Sequence, residues 1–208
     1  MAKRVLVSCG DQYHPADIVM EGLARLTDHD FAFECAPDGP LDDLELDFAV
    51  IILAKSNACS PTDPSPWLTL EFETRFREFV KRGGGLPVVH SGTVGFPKQS
   101  AVRLITGGAF VSHPEACEVN IKAVKKSPVS KDIAPFTVHD EHYFVDADAD
   151  NDVFLQSQSD NGIQPAGWTR SEGEGRVCVI TPGHFAGVWE HPGFLTLIKN
   201  ALKWVANE

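Results

Sequence analysis

"GGGLPVVHSGTVGF" runs from Gly83 to Phe96, and its reading decides the fold. The glycines stop whatever precedes them. Leu86 to Val89 make a short apolar strand, and a polar turn follows at once. In α/β enzymes such a strand-to-turn junction often carries a nucleophile. Here the strand ends on His90, followed by Ser91. Pro87 inside the strand is an objection, because proline weakens a central ladder.

Working outward, the segment before the glycines predicts a helix, with Leu68, Phe72, Phe76, Phe79 and Val80 at helical spacing. Before it come a Ser/Pro-rich loop (55–66) and "DFAVIILA" (47–54), an apolar run without alternation, as expected of a strand covered on both faces. "RVLVS" (4–8) and "FAFEC" (31–35) read as strands on either side of a helix from about Pro15 to Asp28. Beyond the turn, "EVNIKAV", "HYFVD" and "VFLQSQ" give the 117–170 region an antiparallel or irregular, β-rich character. "RVCVIT" (176–181) is a last strand. A closing helix places Phe194, Leu197, Ile198, Ala201, Leu202 and Val205 on one face. This alternation predicts an α/β fold: an open, doubly wound, mostly parallel sheet with a β-rich insertion, forming one domain over residues 1–208.

The chain has 208 residues and a net charge of -11. That balance argues against nucleic acid, since phosphate binding needs a basic face. The five cysteines form no C-x-x-C pair and predict reduced thiols, with Cys35 and Cys178 as packing residues in apolar strands. No apolar stretch has signal-peptide or transmembrane length, so the expected location is the cytoplasm, away from membranes. Self-association into a homo-oligomer is compatible with the sequence.

Ligand sites in such sheets lie beyond the carboxyl ends of the strands. Past those ends stand Asp11 and His14; Lys55, Ser56 and Asn57; His90 and Ser91; and Thr181, His184 and Trp189. His113 follows in "GGAFVSHPE", and "HDEHYF" supplies His139, Asp140, Glu141, His142 and Tyr143. Each also has a plainer reading. A lone histidine is usually a surface or hydrogen-bonded structural residue, which fits His29, His139 and His191. Trp168, Trp189 and Trp204 suit a core.

The ordered series of His14–Pro15, "FVKRGGGLPVVHSG" (79–92), "LITGGAFVSHP" (104–114), "VHDEHYF" (138–144), "GWTRSEGEGRVCVITPGH" (167–184) and "WEHPGFLTLIKNALKWV" (189–205) resembles the ThuA-like (trehalose utilization) family. The resemblance covers nearly the whole chain. It implies a class I glutamine amidotransferase-like, flavodoxin-like fold and a role in using trehalose or related disaccharides and keto-sugars. Amidotransferases of that fold place a cysteine at the elbow, served by a later histidine and glutamate. His90 occupies the elbow here, so a thiol mechanism is not expected, and "HPE" at 113–115 has no elbow cysteine to serve.

Two functions follow as expectations. The first is a carbohydrate-active enzyme with a small-molecule carbohydrate as partner. His90, Glu141 and His184 would do acid–base work, and His14, Asn57, Ser91, His113, Asp140, Tyr143 and Trp189 would hold the substrate. Alternatively, His90, His113, Glu141 and His184 would bind a divalent metal, zinc or manganese. The second is a non-catalytic carbohydrate-binding or regulatory domain, in which Trp189, Tyr143, Asp140 and Asn57 would stack on and hydrogen-bond a sugar.

Overall fold

The computed structural model describes residues 2–26, 31–35, 48–58, 62–63 and 65–208. His29 and Cys59 therefore lie outside the described residues. The described residues form a mixed α/β structure around one nine-stranded sheet.

One half of the sheet is parallel. It contains β1 (Lys3–Cys9), β2 (Phe31–Cys35), β3 (Val50–Ala54), β4 (Gly85–Val89) and β11 (Gly175–Ile180), in the order β2-β1-β3-β4-β11. Every residue of β3 and β4 is buried, which explains the missing alternation in their sequences. Pro87 is accommodated in the middle because the β3–β4 register pairs Gly85 with Val50 and Val88 with Leu53, on either side of the proline.

Helices cover both faces of this half. On one face, Val19 and Leu23 of α1 (Ala16–Ala24) and Leu197, Ile198 and Ala201 of the closing helix α4 (Pro192–Val205) pack on Val5, Val7, Val50 and Ile52. On the other, Phe76 and Val80 of α2 (Leu70–Lys81) and Val102 and Ile105 of α3 (Ala101–Thr106) pack on Ile51, Leu53, Val177 and Val179. The period-two alternation of the strands sends successive residues to opposite faces.

The second half of the sheet is antiparallel. It adds β10 (Gly162–Glu172), β9 (Asp152–Ser159), β6 (Cys117–Ala123) and β7 (Phe136–Asp140) beyond β11. Half of the strand pairings are thus antiparallel. β5 (Gly108–Ser112) and β8 (Phe144–Ala147) form a separate two-stranded ribbon. β10 carries Gly and Pro that hide it in the sequence, and its ladder to β9 shifts register around Pro165 and Gly167, as a bulge permits.

Four strand steps separate β7 from β11. At about 4.8 Å per step, a flat sheet would hold them ~19 Å apart. Yet Asp140, the last residue of β7, accepts hydrogen bonds from the backbone of Gly183 and His184 just past β11, at 2.8 and 3.0 Å. The antiparallel half therefore curls over and returns its edge to the centre.

Cys178 is fully buried, as expected of a packing residue, but Cys35 is exposed. Cys35 is the last residue of β2, the edge strand of the sheet among the described residues. Among the described residues, no helix is long and apolar enough to cross a membrane.

Candidate functional site

The site forms beyond the carboxyl ends of β1, β4, β7 and β11. His14 lies in the turn between β1 and α1. Its Nδ1–H donates to Asp11 Oδ1 at 2.7 Å, and Asp11 also accepts the backbone N–H groups of Tyr13 and Ser56. Burial opposes ionisation of Asp11, but these bonds outweigh it and hold its carboxyl at about 2. The proton on Nδ1 leaves His14 Nε2 a bare acceptor, buried and without a hydrogen-bond partner.

His90 begins the tight turn after β4, with φ at 45°, in the left-handed region. Gly92 makes that turn possible, since a Cβ there would stand 2.1 Å from the Leu53 carbonyl oxygen. His90 Nδ1–H donates to the Thr181 carbonyl at 2.8 Å, so its Nε2 is also a bare, partnerless acceptor. Burial pushes the His90 imidazole down, against the pull of nearby Glu141, which favours the neutral ring.

His184 follows β11. Its Nδ1 is 3.2 Å from Glu141 Oε2 but is not aligned for a hydrogen bond. His90 Nε2 is 3.5 Å from the same oxygen. Burial works against the Glu141 anion, but the facing His184 and His90 hold its carboxyl well below the ordinary range. Glu141 in turn raises His184. One ligand atom each from His14, His90, Glu141 and His184 lies within 4.8 Å of the others. Three imidazole nitrogens and a carboxylate that aim at one point without bonding one another form a donor set that could hold a metal ion. Asp11 behind His14 and Thr181 behind His90 supply the outer hydrogen bonds that fix ring orientation at such centres.

A cavity of about 430 Å³ opens over the cluster. Tyr13, Ser56, Val94, Phe110, His113 and Tyr143 contribute to its walls. The Tyr143 ring stacks on His90 at 4.0 Å between centroids, and Phe110 leans on Tyr143 at 4.4 Å. Burial, followed by the charges of Glu141, Asp140 and Asp11, pushes the Tyr143 phenol far up, so it stays a hydrogen-bond donor.

The profile of the ThuA family, described as "Trehalose utilisation", matches residues 4–205. The chain belongs to the ThuA family. A ThuA-like protein from Bacteroides uniformis superposes with a TM-score of 0.74 at 18% identity, covering 98% of this chain and 91% of its own. One from Parabacteroides merdae gives 0.73 at 19%, covering 99% and 90%. A β-galactosidase from Rahnella sp. R3 gives 0.66 at 13%, covering 98% of this chain but 31% of its own. At these identities the likeness is one of fold. Among curated protein sequences, none matches.

In this ThuA chain the structure brings together His14, His90, Glu141, His184, His113 and Tyr143, all expected from sequence. The four-residue donor cluster takes His14 where the sequence expectation has His113. His113 Nε2 lies 3.5 Å from Glu141 Oε1, on the cavity side, and its Nδ1–H donates to the Pro114 carbonyl. Asp140 sits behind the cluster, buried, holding the Gly183–His184 backbone. Burial pushes its carboxyl up, opposed by His90 and by those N–H groups.

Like Asp140, three more expected substrate contacts sit away from the cavity. Trp189 is 1% exposed, and its Nε1–H donates to the Gly183 carbonyl, so it braces the loop from within the core and offers the cavity no face. Asn57 is buried and accepts Leu68 N–H. Ser91 is buried inside the turn. Nothing in the sequence marks Tyr13, Val94 and Phe110 for the cavity, because an isolated aromatic or aliphatic residue carries no chemical signature. The role of Asp11 had a signal, an aspartate three residues before a histidine in the turn "DQYH".

Proposed function

We propose that this ThuA protein is an enzyme of carbohydrate utilisation, acting on trehalose or a related disaccharide or keto-sugar through His/Glu chemistry assisted by a divalent metal, without a nucleophilic cysteine. The observation that carries the reading is the convergence of His14 Nε2, His90 Nε2 and His184 Nδ1 on Glu141, with all three nitrogens buried and unbonded. Buried polar atoms without partners are costly, and a cation would satisfy all three nitrogens together.

The donor set suits zinc or manganese. When bound, such an ion would polarise a sugar carbonyl or acidify a bound water. The chain's own residues do the rest. Asp11 orients His14, and the Thr181 carbonyl orients His90. Asp140 holds His184 in place through its backbone. Phe110 would give an aromatic wall for the apolar face of a sugar ring, and His113 and Tyr143, which also line the cavity, would meet its hydroxyls.

The family description and the cavity support this substrate class. The fold we read as flavodoxin-like and class I glutamine amidotransferase-like, doubly wound in its parallel half, with the antiparallel strands as a β-rich insertion in a single domain. A cytoplasmic location is part of the same proposal.

The deciding experiment is elemental mass spectrometry on untagged protein purified without chelator, for wild type and His90→Ala, followed by a disaccharide and keto-sugar screen of the loaded protein. We expect near-stoichiometric zinc or manganese in wild type, its loss in the variant, and metal-dependent turnover. Saturable sugar binding without product, with or without metal, would make the protein a binding module instead.

A further inference from the structure

Cys9 and Cys35 stand on neighbouring parallel strands. Val7 is the register partner of Cys35, so Cys9 lies two residues further along β1. Their sulfurs are nonetheless 3.5 Å apart. The two thiols differ in access: Cys9 is 0% exposed and also touches the Ala16 carbonyl at the start of α1, whereas Cys35 is exposed. An exposed thiol beside a buried one has the form of an attacking and a resolving cysteine.

We propose that Cys9 and Cys35 form a reversible redox pair, oxidised by hydrogen peroxide to a disulfide that displaces the His14 loop. The Cys35 thiolate attacks peroxide, the O–O bond breaks, and the departing hydroxide takes a proton to become water. Cys35 is left as a sulfenic acid. Cys9 sulfur, losing its proton, then attacks Cys35 sulfur. The S–O bond breaks, a second water leaves, and the disulfide forms. The two electrons lost by the thiols reduce peroxide to two waters, and a dithiol reductant reverses the change.

Closing 3.5 Å to a bonded distance of about 2.05 Å needs a shift of roughly 1.5 Å. The diagonal placement across two strands makes the bond strained and hence reducible. The shift falls at a sensitive point. Cys9 is followed by Gly10, with φ at 87°, and then by Asp11, which holds the His14 ring and the Ser56 backbone. The effect on His14 as a ligand rests on the site reading above; the disulfide itself does not.

The test is non-reducing peptide mapping of the full chain after peroxide treatment. We expect a cross-linked peptide joining Cys9 to Cys35, loss of two of the five thiols, and full recovery with dithiothreitol. Cys35→Ser should abolish the cross-link, and Cys117→Ser should leave it. Over-oxidised Cys35 beside a free Cys9 thiol, or a cross-link to another cysteine, would overturn the proposal. Hydrogen exchange on metal-free protein reads the second part: faster exchange across residues 10–14 in the oxidised form is expected, and unchanged exchange would refute the coupling. A protein that passes both tests but binds no metal would fail the site reading and leave the redox pair standing.

Discussion

Asp11 Oδ1 accepts the Nδ1–H of His14 at 2.7 Å while its other oxygen takes the Ser56 backbone N–H at 2.8 Å. One carboxylate thus fixes both the tautomer of a candidate ligand and the loop after β3. Outer partners of this kind typically contribute 10–100-fold to metal affinity. Asp11→Asn keeps the shape and removes the charge, so zinc binding should weaken by about 10–100-fold. Competition with a chromophoric chelator measures this, and an unchanged affinity would remove Asp11 from the site.

His14 and His113 separate two versions of the centre. His14→Ala should abolish near-stoichiometric metal, because it removes one of four converging donors. His113→Ala should retain the metal and weaken sugar binding, because that ring faces the cavity. Metal lost from His113→Ala and kept in His14→Ala would reverse the assignment.

Gly92 is the backbone condition for the His90 turn. An alanine Cβ would meet the Leu53 carbonyl at 2.1 Å and Val88 at 3.0 Å, and neither a backbone oxygen nor a packed strand yields easily. Gly92→Ala should cost about 2–3 kcal/mol in chemical denaturation. A loss below about 0.5 kcal/mol would mean that the turn is slack.

Away from the site, Arg103 Nη2 donates to Asp148 Oδ1 at 2.8 Å and holds that carboxyl below its usual range. The folded value lies below the unfolded value of about 3.9. This pairing therefore stabilises fully above the unfolded value and is lost as pH falls through the folded one. Asp148 is 39% exposed, so screening limits the effect to about 0.5–1 kcal/mol. Wild type should lose that advantage over Asp148→Asn when urea midpoints are compared at neutral pH and near pH 3. Parallel curves would contradict it.

The parallel half of the fold was legible because its central strands are apolar runs and its longer helices repeat at 3.6 residues, whereas the six-residue α3 is too short to show a period. Glycines also mark where α2 stops. The antiparallel half was only partly legible. β5, β7 and β10 mix polar residues, Gly and Pro, and their partners are set by pairing across long sequence distances, which local pattern does not encode. For the same reason the histidines at strand ends were visible one by one, while their meeting point was not. His14 and His113 both precede proline in loops, but the Asp11 carboxylate on Nδ1 leaves His14 Nε2 free to face the cluster, whereas His113 stays at the rim, 3.5 Å from Glu141; neither is written in local sequence. Cys35 shows the reverse error: an apolar strand pattern implies burial, but the last residue of an edge strand escapes it.

The curl has a mechanical consequence. His14, His90 and His184 belong to the parallel half, whereas Glu141 arrives from the far edge strand. An ion held by all four would act as a rivet across the seam between the halves. Its uptake would then report that the sheet had closed, and a chain with the antiparallel edge still open would offer three imidazoles and no anion.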